Sequence, residues 1–323
     1  MWVITKTSTR SRNRIFGGLR PNYLPIRFRR YEKWDGSAEK KSIDKATVKF
    51  HSYSFREPDG RWNHDIERIL GQVEAQAVPL LPKLASGTLL DQTEKEQPAL
   101  FIGVLIRRPA ALLDHFEQEI FRRTSNRDAQ LALIESMMPE LQQKFSAEEI
   151  ESAYKAVDEG TFDISFDSAK AAQMRVWINS MPRYAGIIAN MHWRVWKADQ
   201  GLAFLTSDAP AFVRRQAQDA DIGVVGVTRS DLSAELTFPI SKRSLLIAKH
   251  THCKPAQKAT KMRVQELNAL IVRMANKHVF ASDYSENLRA LVIQNNSFSY
   301  PLPDFSDARA RVARKYGISP EAL

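Results

Sequence analysis

Glu67 and Glu74 stand seven positions apart in a stretch with helical apolar spacing. Both carboxylates therefore project from one side of a helix, about two turns apart. Carboxylates in line can hold a divalent cation or exchange protons with a substrate; they can also be solvated charge flanking an apolar stripe. Arg107 closes an apolar run just before Arg108-Pro109. A guanidinium there can grip a phosphate or carboxylate with two parallel hydrogen bonds, or serve the fold by pairing with Glu67 or Glu74 or by sitting at a helix C-terminus. Asp208, in Ser207-Asp208-Ala209-Pro210, ends a predicted strand. Short polar residues at such a place act as catalytic or metal-binding groups, or build a turn. Ser207 lacks the Gly-x-Ser-x-Gly surroundings of a strained nucleophile. His192 precedes a predicted strand and is a candidate general base, or a half-buried, hydrogen-bonded histidine. His250, His252 and Cys253 would bring two imidazoles to one side of a strand, but a structural zinc needs four ligands and no second cluster completes the set.

Charge is the second chemical feature. The net charge is +10, and residues 1–30 carry Lys6, Arg10, Arg12, Arg14, Arg20, Arg27, Arg29 and Arg30 with no Asp or Glu. The remaining residues carry only +2 of the total, 10 − 8. Such an arm attracts phosphate and releases counterions, which makes Arg10, Arg12, Arg14, Arg20, Arg27, Arg29 and Arg30 candidate nucleic-acid contacts. The same composition also suits a solvated terminus or an Arg-rich organellar leader. Cys253 is the sole cysteine, so no internal disulfide is expected and a reducing, cytoplasmic setting fits. No apolar run approaches a membrane span, and the start lacks the apolar core of a secretory signal. Gly17-Gly18 and Gly223-x-x-Gly226 fit neither phosphate-loop pattern, and no His-Glu-x-x-His occurs.

The elements that must position these groups follow from periodicity. Short strands are expected at Tyr31–Trp34 and Thr47–Phe55, with a turn at Glu57-Pro58-Asp59-Gly60. Ile66, Ile69, Leu70, Val73 and Ala77 define one face of a helix beginning near Trp62. Further helices are predicted over Thr93–Ile106 with Pro98 near its start, and over Ala110–Arg123, Asp128–Met137 and Ala147–Asp158. The last has a capping-box spacing at Ser146 and Glu149. Ser168–Met191 reads as a long helix, kinked at Pro182. Residues 193–198 alternate as a strand, with Asp199-Gln200-Gly201 as a turn and Leu202–Thr206 as the returning strand. Gly223–Thr228, Glu235–Ile240, Ser244–Lys249 and His278–Ala281 add strands, Met262–Asn276 a helix, and Ser306–Tyr316 a short tail helix. Trp177, Trp193 and Trp196 fall within periodic elements and read as core rather than as base-stacking platforms. The expected class is α+β: a helical N-terminal two-thirds packed on a smaller, mostly antiparallel sheet. Its parts are a basic arm over 1–21, one domain over 22–295, and a tail over 296–323.

These landmarks, in order, resemble a bacterial family of undetermined activity, Domain of Unknown Function 4238. The matching stretches are Tyr23-Leu24-Pro25 with Phe28-Arg29-Arg30-Tyr31, Ile66-Glu67 with Glu74, and Arg107-Arg108-Pro109. Trp193 follows, then Phe204 through Pro210, Phe238-Pro239-Ile240-Ser241 and Asn268. The resemblance covers about residues 22–290 and implies a fold rather than an activity. Pro21 and Asn22 stand where the family usually carries two histidines. If those histidines bind metal or move protons, this chain has lost that group.

Two functions follow as expectations. One is a non-catalytic or weakly catalytic protein that associates with nucleic acid through its basic arm. The other is a metal-assisted, phosphodiesterase-like hydrolase. There Glu67, Glu74 and Asp208 hold a divalent cation, His192 moves a proton, and Arg107 stabilises developing negative charge.

Overall fold

A computed structural model describes residues 27–42, 53–56, 60–88, 90–107, 118, 127–136, 138–161, 166–215, 232–254 and 256–296. The elements expected over residues 47–52, 110–123, 223–228 and 306–316 lie outside these residues, apart from residue 118.

The helices follow in chain order: α1 (Asp65–Ala77), a 3₁₀ turn (Val78–Leu80), α2 (Leu81–Ser86), α3 (Gln92–Arg107), α4 (Arg127–Ser136), α5 (Met138–Lys144), α6 (Ala147–Asp158) and α7 (Phe166–Ala189); α2 and α5 are not among those expected from periodicity. In α1 the apolar residues Ile66, Leu70, Val73 and Ala77 are buried as their spacing requires, and so are Glu67 and Glu74. Ser146 caps α6 with the reciprocal capping box expected from its spacing to Glu149. Pro98 lies well inside α3 rather than in its first turn, and α7 runs continuously through Pro182. Helix α2 ends at Gly87, whose φ of 85° is left-handed and suits glycine.

The strands are β1 (Arg27–Glu32), β2 (Ala38–Ser42), β3 (Phe55–Arg56), β4 (Trp62–Asn63), β5 (His192–Ala198), β6 (Thr206–Ser207), β7 (Phe212–Arg215), β8 (Ala234–Ser241), β9 (Ser244–Lys249), β10 (Ala256–Ala259) and β11 (His278–Ala281). Helix α8 (Lys261–Met274) follows β10, and α9 (Glu286–Gln294) follows β11. The α+β class holds, but the strands are not gathered in one C-terminal sheet. A five-stranded sheet has the order β10-β5-β9-β8-β7, a four-stranded sheet the order β2-β1-β11-β6, and β3 pairs with β4. The larger sheet is mixed, because β10 runs parallel to β5 while the other pairs are antiparallel.

That larger sheet is the middle layer. Leu246 and Ala248 of β9 face one apolar cluster, shared with Leu70, Phe101 and Ile188 of α1, α3 and α7. Leu245 and Ile247 face the other, shared with Leu267 and Ile271 of α8 and with Tyr31 and Val279 of the smaller sheet. Alternate residues thus enter separate cores, which is why β8 and β9 are each buried continuously up to their last residue.

Leu202–Thr206 does not return along β5 as a hairpin. Strand β5 pairs with β9 and β10 instead, and only Thr206–Ser207 becomes a strand, against β11. The intervening backbone is held by a side chain. Asn268 of α8 accepts the Leu205 N–H (2.8 Å) and donates to the Ala203 carbonyl (2.9 Å). Strand β1 pairs antiparallel with β11, Tyr31 opposite Val279.

Lys33, fully buried just after β1, donates to the carbonyls of Arg273 (2.8 Å) and Ala275 (2.6 Å) where α8 ends. Burial drives its pKa from the ordinary 10.5 down to about 8, against the pull of the Asp208 carboxylate. Between about pH 8 and 10.5 the unfolded chain therefore holds a proton that the folded chain has released. In that window Lys33 makes stability rise with pH, by at most about 1.4 kcal/mol per pH unit. A neutral amine still has protons for both carbonyls. The difference in melting temperature between the parent and Lys33→Met should widen as pH rises through this window, followed by circular dichroism; a constant difference would show that Lys33 is buried without a depressed pKa.

Candidate functional site

The turn from β4 into α1 brings three polar side chains of this helical layer together. Asn63 accepts the Asp65 N–H at 2.8 Å through its side-chain oxygen, and His64 occupies the N-cap position. Ser54, immediately before β3, donates its hydroxyl to Glu67 Oε1 at 2.9 Å and lies 2.8 Å from His64 Nδ1. A serine hydroxyl has one proton. With that proton directed at Glu67, His64 Nδ1 must be the donor to Ser54, and a neutral imidazole then carries its lone pair on Nε2. The carboxylate end of this chain is 2% exposed, whereas His64 lies at the surface with its ring stacked near Trp62. A buried carboxylate that acts through a hydroxyl on a surface imidazole fixes its tautomer. Beneath the hairpin, Tyr53 stacks on Trp177 of α7 at 5.9 Å.

The other expected members divide. Glu74 is buried on α1 in the same layer. Arg107, ending α3, stacks its guanidinium on Tyr184 of α7, 4.1 Å from the ring centre, instead of pairing with Glu67 or Glu74. Asp208 belongs to the smaller sheet. Its Oδ1 accepts the N–H of Asn276 (2.8 Å), and its Oδ2 accepts those of Lys277 (2.8 Å) and His278 (3.0 Å). His278 lies between two carboxylates, 3.5 Å from Asp208 and 3.3 Å from Glu32. Ser207 turns its hydroxyl to the Ala209 N–H at 3.2 Å. His192 is exposed at the start of β5, edge-on to His252 at 5.1 Å, and its carbonyl accepts the Cys253 thiol at 3.5 Å. Among the described residues, no three His, Cys, Asp or Glu side chains gather closely enough to hold a metal ion.

Of the basic residues, Arg10, Arg12, Arg14 and Arg20 lie outside the described residues, as does the side chain of Arg27. Arg29 places its guanidinium over the exposed ring of Tyr284, 5.8 Å from its centre. Arg30 is committed to the fold, paired with Glu32 at 3.1 Å and with Glu39.

Other charges escaped the sequence reading. Glu235, fully buried in β8, meets Arg214 of β7 and Lys249 of β9, with Lys249 Nζ 2.6 Å away. Burial alone would raise its pKa, but the two cations outweigh burial and hold it below the ordinary value. Lys197, Arg243 and Lys258 line a cavity of about 480 Å³ with Ala198 and Asp199. Ser54 and His64 were also missed, since they lie ten positions apart across a turn that no spacing rule brings together; the one available signal was a histidine immediately before a strong helix.

Among the described residues, no helix is long and apolar enough to cross a membrane. No curated protein and no solved structure matches the chain. The family described as "Protein of unknown function (DUF4238)" matches over residues 29–285, which takes in most of β1, the other strands of both sheets and the Ser54–His64–Glu67 group. The chain belongs to that family.

Proposed function

We propose that this protein associates with nucleic acid through sequence-independent phosphate contacts made by its Arg-rich first thirty residues. The observation that carries the reading is charge segregation: eight cations and no acid in residues 1–30, against a nearly balanced remainder. Arg29 supports it from the folded part. A guanidinium above an exposed tyrosine offers a cation and an aromatic face together, the pairing that single strands use for phosphate and base. Arg30, already paired with two carboxylates, contributes little to such a surface.

A second reading, a hydrolase centred on Glu67, is favoured by the hydrogen-bonded chain from Glu67 through Ser54 to His64. In it Glu67 and Glu74 are the acidic groups of the helical layer and His64 is the proton acceptor. A divalent cation, if one binds, would be held from that layer. Asp208 is not used, because its carboxylate already accepts three backbone N–H groups.

Binding of the full chain to a single-stranded oligonucleotide should weaken steeply with salt. Replacing Arg10, Arg12, Arg14 and Arg20 with serine should reduce the slope of log K against log salt by about 3, at roughly 0.7 per single-strand phosphate contact. Fluorescence anisotropy measures both slopes, and equal slopes would remove the arm from the interaction. For the hydrolase reading, Glu67→Gln and His64→Ala should each abolish cleavage of a generic phosphodiester, with or without added magnesium or manganese; activity that survives both rules out this centre. Asp208→Ala should lower stability by about 2–4 kcal/mol in urea denaturation, because three backbone donors lose a charged acceptor. A catalytic aspartate held against like charge would show no such loss.

A further inference from the structure

Strand β5 ends against the Asp199-Gln200-Gly201 turn, and the β8–β9 turn at Lys242-Arg243 comes beside it. Three cations meet there. Lys197 of β5 lies directly opposite Lys258 of β10 in the parallel register, so their side chains leave the same face of the sheet. Like charges facing each other across two strands disfavour the pairing. Arg243 approaches from the third side and places Nε and Nη2 each 3.2 Å from the Ala198 carbonyl. Lys197 reaches the Ala85 carbonyl at the end of α2, and its Nζ lies 3.3 Å from Ser244 Oγ. None of the three cations makes an ion pair among the described residues. Burial, and then the neighbouring Arg243 charge, hold the Lys197 pKa below its ordinary value. The backbone contacts orient two of the cations without neutralising them. Asp199 is the one carboxylate on the lining, which leaves three positive groups against one negative around a cavity of about 480 Å³.

We propose that this cavity binds a phosphate-bearing anion, with Lys197 and Arg243 as its oriented donors and Lys258 as the mobile cation that closes over it. The volume falls within the range of about 300–1,000 Å³ typical of small-ligand pockets. A lone phosphate would leave most of it empty, so the space suits a di- or triphosphate, or a phosphate carried on a sugar. Arg243 supplies a planar fork, and the two lysines supply point charges that adapt to any phosphate oxygen. Asp199, at the same rim, disfavours a second anionic group beside it and so sets the direction in which the ligand enters.

Such a site does not depend on the arm, and its test keeps the two apart. Titration calorimetry of the full chain with inorganic pyrophosphate at low salt should show saturable binding, with a matching rise in melting temperature. Lys258→Glu should weaken that affinity by roughly tenfold or more. Because Lys258 is exposed and faces a like charge, the same variant should melt no lower than the parent when unliganded, so lost binding is not lost folding. The variant carrying serine at positions 10, 12, 14 and 20 should bind pyrophosphate as the parent does. A mononucleotide that competes with pyrophosphate while an oligothymidylate does not identifies a small phosphate ester as the ligand. Competition by the oligothymidylate that persists in the arm variant identifies a nucleic-acid backbone instead. Absence of heat and of any melting shift at millimolar pyrophosphate overturns the site, and so does undiminished binding by Lys258→Glu.

Discussion

Buried backbone needs hydrogen-bond partners, and this fold meets that requirement in an unusual place. From Ala203 to Thr206 the chain passes between the two sheets with Phe204, Leu205 and Thr206 almost fully buried, and most of this stretch belongs to no ladder. Side chains supply what strand pairing does not. Asn268 takes one donor and one acceptor at Ala203 and Leu205, the Lys242 carbonyl takes the Phe204 N–H, and Asp208 receives three N–H groups from the turn after α8. Lys33 closes the same turn from the opposite side by capping the carbonyls of Arg273 and Ala275. Without these contacts, β6 and β11 would have no fixed register and β1 no edge to join.

The same requirement explains why several of the motif residues look chemical without being free for chemistry. Tyr31 accepts the Ser285 N–H on its hydroxyl at 3.0 Å. Trp193 donates its indole N–H to the Ile188 carbonyl at 2.9 Å, which fixes the exit from α7 into β5. With Asp208 and Asn268 they are fasteners for irregular backbone. A carboxylate that accepts three peptide N–H groups is held in one orientation with both oxygens engaged, which leaves it little room to turn toward a substrate.

Legibility followed the range of the interaction. Helices α1, α3, α6, α7 and α8 were readable because their apolar residues repeat within one element, as Leu267 and Ile271 do on α8. Strands β5, β8, β9 and β11 were readable from apolar and β-branched runs. Strand β10, whose sequence is Ala-Gln-Lys-Ala, carries no such signal and exists because β5 offers it a parallel edge. Helix α9 begins after a turn that Tyr31 holds from over 250 positions away, a contact no local window contains. The candidate site divides in the same way. Glu67 was visible by position, but its burial and its link through Ser54 to His64 needed a hairpin that folds back onto the helix.

Once the fasteners are set aside, two groups of polar residues stand apart from the needs of folding. Replacing a buried polar pair such as Ser54 and Glu67 by apolar groups of similar shape is often neutral or stabilising, so folding alone does not call for a carboxylate there. Lys258 is a clearer instance: it faces Lys197 across the sheet without an ion pair among the described residues, where almost any other residue would favour the pairing more. Charge arranged at a cost to folding points to an interaction outside the fold, and on that ground the end of β5 and the entrance to α1 separate from the rest of the polar residues. They lie on elements that pack into the same apolar cluster, Val195 of β5 and Ile66 of α1 both belonging to it. Close-packed apolar side chains thus join the two ends of this layer.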